Sequence, residues 1–198
     1  VAAEHFPAMA AHASPLVRAS GVSALTGLTL EALRGVSKAH RATLTETPRA
    51  LTRSDDAANV RAAACRAVGA FASFEAVDFF ATEPDVGSLG SDAALLVAAM
   101  RDGSKSVRLP ASWAVANVCG ALASRALGHV LAAADLARAG GRVAARLRDI
   151  TQALMSCLAT GNAKTQWNAC LALKQVFQNA SAEKTESFDE WSPAALRM

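Results

Sequence analysis

The sequence predicts an all-α chain, a right-handed α-α superhelix of about four to five stacked helical repeats. Three observations predict it. The composition favours helices: 52% of the 198 residues are hydrophobic, mean hydropathy is +0.21, and there is no Tyr. Most of the apolar residues are Ala, Val and Leu, which suit closely packed helices better than strands. One opening also recurs: Val17-Arg18, Val60-Arg61 and Val107-Arg108 stand 43 and 47 residues apart, at about the 40–47-residue period of helical repeats. A weaker fourth copy opens at Thr165-Gln166, 58 residues after the third, longer by roughly one helix. Finally, behind the third opening Val107, Ala111, Ala114, Val115, Val118 and Leu122 fall on one helical face about 100° wide.

In chain order, Glu4 to His12 reads as the closing helix of a pair. Ser14-Pro15 then caps and starts a helix from about Leu16 to Leu28 that buries Val17, Val22, Leu25 and Leu28. Leu30 to Ala50 is expected as two helical pieces, with Pro48 breaking or kinking the second. Ser54-Asp55-Asp56 is a turn, and Ala58 to Phe74 the next inner helix. Thr82 to Ser91 carries Pro and two Gly and is expected as a loop, leaving Asp92 to Arg101 as a short outer helix. Asp102-Gly103-Ser104 turns the chain into the third inner helix, whose Pro110 is expected in the first turn. Arg125 to Arg138 is expected as an extra helix ended by Gly140-Gly141. Arg142 to Thr160 is the last outer helix, and Gly161-Asn162 precedes the last inner helix, Lys164 to Ala180.

This organisation gives a repeat domain over 1–180, with repeats at about 1–34, 38–81, 91–124 and 142–180 and the extra helix at 126–139. Residues 181–198 form a tail or the start of a further repeat. The end pairs show no evident polar caps, so the chain is expected to be an excised piece of something longer.

Composition excludes several functions. Net charge is +3, from 20 basic and 17 acidic residues, too little for a nucleic-acid footprint. The densest basic group, Arg138, Arg142, Arg146 and Arg148, reads as a solvated helix face. Leu109 to Ser124, the longest uncharged run, is too short and too interrupted to span a membrane. No signal peptide is visible. Cys65, Cys119, Cys157 and Cys170 lack CxxC spacing and sit in apolar helical patterns, so they are expected reduced and structural, in a cytoplasmic or nuclear protein. The Asn179-Ala180-Ser181 sequon is discounted on the same ground.

Catalytic and cofactor patterns are missing. His5, His12, His40 and His129 are scattered, and His5 and His12 are seven apart where a helical metal pair wants four. Gly87 to Ser91 is followed by no Lys-Ser/Thr at phosphate-loop spacing, there is no G-x-S-x-G, and Glu75, Asp78, Glu83 and Asp85 are ordinary acidic positions. We therefore expect no catalytic residues, no metal, no cofactor and no small-molecule substrate.

Asp102-Gly103-Ser104-Lys105-Ser106-Val107-Arg108-Leu109-Pro110-Ala111 resembles the D-x-x-x-x-V-R-x-x-A signature of HEAT repeats. Ala111-Ser112-Trp113-Ala114-Val115-Ala116-Asn117-Val118 resembles the inner helix of armadillo repeats. Gln166-Trp167-Asn168-Ala169-Cys170-Leu171-Ala172-Leu173 is similar to a segment of the HEAT repeat-containing protein 6 group. The resemblance to the armadillo/HEAT superfamily implies a scaffold or adaptor that binds another protein in its concave groove, with Trp113, Asn117, Arg108, Trp167 and Asn168 as candidate contacts. In armadillo importers, Trp/Asn pairs line that groove. Here only Trp113 and Asn117 match; the equivalent pairs are Ser23 and Gly27, Arg66 and Ala70, and Leu171 and Gln175. One rung is not a ladder, so import-cargo binding is not expected. A structural subunit of a large assembly is the alternative. The HEAT-fold hydroxylases need several His-Glu pairs, and Glu4-His5 occurs alone.

Overall fold

Helix α7, Lys105–Leu127, is the longest in the described structure, and it packs on α5, Ala58–Glu75, on one side and on α9, Ala163–Ala182, on the other. These elements come from a computed structural model that describes residues 2–75, 87–127, 150–159 and 162–182. Before them run α1 (Ala2–Ala10), α2 (Pro15–Ala24) with a 3-10 turn at Leu25–Gly27, α3 (Leu30–Arg34) and α4 (Lys38–Ser54); α6 is Gly87–Ala99. Residues 150–159 form α8. No strand occurs among the described residues.

Two layers result. α2, α5, α7 and α9 lie side by side as the inner layer, each with an outer helix leading into it. α1 touches α4 and α4 touches α6 in the outer layer. No single pair has enough apolar surface to fold alone, so stacking builds the core. α5 shows how: Ala63, Ala64, Ala67 and Phe71 close a cluster with Phe6, Val22, Leu25 and Leu33, while Ala62, Cys65, Val68 and Ala72 join α6, α7 and α9 in a second. The stripe Val107, Ala111, Ala114, Val115 and Val118 is wholly buried, as its periodicity predicts; the side chain of Leu122 lies outside the description. Each fully buried Val contributes about 1.5–3 kcal/mol.

Three local expectations need correction. Pro48 does not end its helix, because α4 runs on to Ser54. Leu44, Thr45, Arg49 and Thr52 around it are all buried, and that packing outweighs the lost bond, about 3 kcal/mol. Pro110 likewise sits inside α7 and not in its first turn; Ser112 folds its hydroxyl back onto the Leu109 carbonyl there. Gly87 to Ser91 is helical. The propensity lost, under about 1 kcal/mol per residue, is small beside the burial of Ala93, Leu95 and Leu96 and the ion pair of Asp92. The extra helix expected at 126–139 lies outside the described residues except where α7 extends to Leu127, and so do the tail beyond 182 and all of 142–149.

Candidate protein-binding face

The three later inner helices share one register. Their opening residues Val60, Val107 and Thr165 are buried, and six residues on stand Arg66, Trp113 and Leu171, all exposed. Trp113 and Leu171 are each 40% exposed. They hold the same register position on neighbouring helices, and each is left exposed by the packing of α5, α7 and α9.

Trp113 owes its position to a small residue on the helix before it. A Cβ placed on Gly69 would lie 2.5 Å from Ala114 Cβ and 3.2 Å from Trp113 Cζ3. Gly69 thus lets α5 and α7 approach backbone to backbone, and the indole ring rests over the gap. Asn117, one turn beyond Trp113, donates from Nδ2 to the Gly69 carbonyl at 3.2 Å. The Trp/Asn pair is therefore fixed to the preceding repeat and still half in solvent.

Arg108, a candidate contact in the sequence, is half-buried and holds a turn. Its Nη1 donates to the carbonyls of Asp102 and Gly103, clamping the turn before α7. Arg18 does the same to His12 and Ala13, and Arg61 to Asp55 and Asp56. The other edge of Arg18 grips Asp55 at 2.8 and 2.9 Å, and that of Arg61 grips Asp102 at 2.8 and 3.0 Å. Arg18 and Arg61 thereby each tie their own turn to the next. At Arg108 that second edge meets no carboxylate among the described residues, and the sequence has Thr160, not Asp, six residues before Gln166. The acids answer electrostatically. The Arg61 hydrogen bond holds the Asp102 carboxyl below the usual carboxylate range, against burial. Burial pushes Asp55 upward, but Arg18 and the Ala57 N–H together bring it below its ordinary value. This ladder was not read from the sequence, although Asp55 and Asp102 each stand six residues before an arginine of a Val-Arg opening. In the first turn His12 takes the acid's place, its Nδ1 accepting from Ser14 N–H as Asp55 and Asp102 accept from Ala57 and Ser104.

The remaining two candidates separate. Asn168 is turned inward, 9% exposed, and donates to Ser112 Oγ at 3.0 Å, joining α9 to α7. Trp167 is 63% exposed. All four cysteines are free. Burial pushes the thiols of Cys65 and Cys119 up to about 12, so they are inert at neutral pH; Cys170, expected in the core, is exposed. Among the described residues no group of His, Cys, Asp or Glu could hold a metal ion, and no helix is long and apolar enough to cross a membrane.

Stacked helix pairs in two layers, with an inner layer in common register, define an armadillo/HEAT-like repeat solenoid. Among solved structures the chain is similar to a designed armadillo repeat protein, YIII(Dq)4CqI, with a TM-score of 0.50 and 16% identity over 86% of this chain and 63% of that one. It thus spans less than two thirds of the designed protein's length. An engineered protein is also similar, with a TM-score of 0.47 and 15% identity, covering 98% of this chain and 96% of its own. No protein-family model matches the sequence, and no curated protein is detectably similar to it.

Proposed function

We propose that this chain is a scaffold or adaptor that binds another protein along its inner helices, with Trp113 as the anchor. The observation that carries this reading is that Trp113 is 40% exposed yet its ring lies against Gly69, whose carbonyl Asn117 holds. A large aromatic side chain already immobilised loses little entropy when a partner covers it, and such residues supply much of the affinity at interfaces. Arg66 and Leu171, at the same register position on α5 and α9, extend the contact. The Asn117 amide oxygen, with no partner among the described residues, accepts a backbone N–H from the bound segment. Arg108 and Trp167 flank the contact, and Asn168 holds the repeats that form it. The repeat domain over 1–180 is the unit that acts, without catalysis, metal or cofactor. Free buried cysteines suit the cytoplasm or nucleus. Within the superfamily we place the chain nearest the HEAT repeat-containing protein 6 group, on the motifs around Trp113 and Trp167.

A photo-crosslinking amino acid tests the reading. Placed at 66 or 171 it is expected to give discrete adducts in native extract that vanish in Trp113→Ala. Placed at 46, an exposed position on the outer helix α4, it is expected to give none. Adducts from 46 alone, or adducts at 66 and 171 indifferent to Trp113, overturn it.

A further inference from the structure

The charges of this molecule are sorted by layer. The inner helices α2, α5, α7 and α9 carry eight basic residues against one acid, Glu75, at the last position of α5. The acids sit elsewhere: Glu4, Glu46 and Asp92 on the outer helices, and Asp55, Asp56 and Asp102 in the turns, where Arg18 and Arg61 take them up. Packing does not require this. Asn59, Arg66 and Ser73 stand seven apart on α5, and all three are exposed. In the same register stand Ser106 and Trp113 on α7 and Lys164 and Leu171 on α9, exposed as well. Seven residues is close to two helical turns, so on each helix these positions share a face. An acid would fit at any of the polar ones without touching the core, and none is there.

The lysines also stand against local preference. Lys105 and Lys164 fall in the first turns of α7 and α9, where the helix dipole favours an acid. None of α5, α7 and α9 has an acid in its first turn. Both lysines are exposed, and neither they nor Arg66 has an ion pair among the described residues. A cation at one helix N-terminus is an ordinary cost. One sign of charge on three successive inner helices, with apolar Trp113 and Leu171 among them, is a surface that a partner's carboxylates would complement.

We propose that the segment bound along the inner helices is acidic and extended, with carboxylates that meet Arg66, Lys105 and Lys164 and apolar side chains that cover Trp113 and Leu171. This deepens the inner-face reading and rests on it. The extended form follows from the Asn117 amide oxygen, which takes a backbone N–H that a helix would already have spent. Scale agrees: packed helix axes stand about 8–10 Å apart, and three residues of polyproline II cover about 9 Å. Nucleic acid is the poorer occupant, because Leu171 is aliphatic and this register position offers one aromatic ring for stacking. The chain's own Glu183, Glu186, Asp189 and Glu190 are the other source of carboxylates, and the experiment separates them from a partner's.

The probes are two fluorescein-labelled 12-residue peptides, one of repeated Glu-Pro-Leu and a twin of repeated Lys-Pro-Leu. Fluorescence anisotropy with the full 198-residue chain reads both. The Glu peptide is expected to bind at least tenfold tighter than its twin and to weaken with salt. Trp113→Ala and Arg66→Glu are each expected to cost it at least tenfold. Lys38→Glu, the same charge change at an exposed position of the outer helix α4, is expected to cost less than twofold. Arg66→Glu combined with Lys105→Glu and Lys164→Glu is expected to invert the preference. These side chains are exposed, so the variants fold, which circular dichroism checks. Glu183→Gln, Glu186→Gln, Asp189→Asn and Glu190→Gln together are expected to leave the affinity within twofold; a larger gain would make the chain's own acids the occupant and overturn the proposal. No binding, displacement by a single-stranded oligonucleotide, or a loss in Lys38→Glu as large as in Arg66→Glu would overturn it too. Equal affinity for the two peptides, or a preference for the Lys twin, with binding lost in Trp113→Ala would overturn the acidic ligand and leave the inner-face reading standing. A Glu preference indifferent to Trp113→Ala would overturn both.

Discussion

Asn117 on α7 reaches back to α5 and donates its side-chain amide to the carbonyl of Gly69, at 3.2 Å, while a Cβ on that same glycine would collide with Ala114. The two contacts make Gly69 the point where the inner layer is tightest. A glycine inside an exposed helix gains about 1 kcal/mol when replaced by Ala. Here the sign is expected to reverse, with Gly69→Ala destabilising by about 1–3 kcal/mol through overpacking. Asn117→Ala removes one hydrogen bond and is expected to lose about 0.5–1.5 kcal/mol. Urea denaturation measures both, and a stabilised Gly69→Ala would show that the helices can part at no cost.

The arginine ladder predicts unequal effects from chemically identical substitutions. Arg61→Ala removes a bidentate pair and leaves Asp102, whose side chain is only 14% exposed, without its guanidinium. Arg108→Ala removes only hydrogen bonds to two turn carbonyls. The first is expected to lose about 2–3 kcal/mol and the second about 1. Equal losses would mean that Arg108 has a carboxylate of its own.

Acid should loosen the same rungs. Asp55 and Asp102 both titrate below the usual carboxylate range in the folded chain. A depressed folded value means that the unfolded chain takes up protons first. The stabilisation is therefore complete above the unfolded value, about 4, and is lost as pH falls through the folded ones. Urea midpoints are expected to hold steady from pH 7 to about 5 and fall below that. Asp55→Asn with Asp102→Asn is expected to start lower and fall less steeply. Parallel curves would place the acid sensitivity elsewhere.

The layers were legible because burial follows helical period. Val107, Ala111, Ala114, Val115 and Val118 had to face a core, and they do. The positions misread are those where local preference and tertiary packing disagree: Pro48 and Pro110 inside helices, and Gly87 to Ser91 helical despite its turn residues. At the candidate face the sequence singled out Trp113 and Asn117, because their four-residue spacing is local. It could not tell Asn168 from Trp167, adjacent residues of which one turns inward and one outward, since that depends on which flank the next helix covers. The ladder joins residues 37 and 41 positions apart, so it became visible only once the turns were stacked.

Arg49 and Asp92 pin the outer layer as the ladder pins the turns. Arg49 Nε and Nη2 meet the two Asp92 oxygens at 2.7 Å each, both side chains are buried, and Glu46 takes Nη1 at 2.9 Å. Removing such a pair from water costs several kcal/mol per ion, so its net contribution is small, whereas halving it leaves a buried charge uncompensated. Asp92→Ala is accordingly expected to lose about 3–5 kcal/mol. Arg49→Met combined with Asp92→Leu replaces the pair by apolar groups of similar size and is expected to recover most of that loss. What the double variant gives up is direction, because the bidentate fork fixes α4 against α6 in one register and an apolar contact does not. Hydrogen exchange at α4 and α6 reads this. The double variant is expected to unfold near the wild-type urea midpoint while exchanging faster in those two helices, and a double variant as unstable as Asp92→Ala would show that the pair supplies net stability.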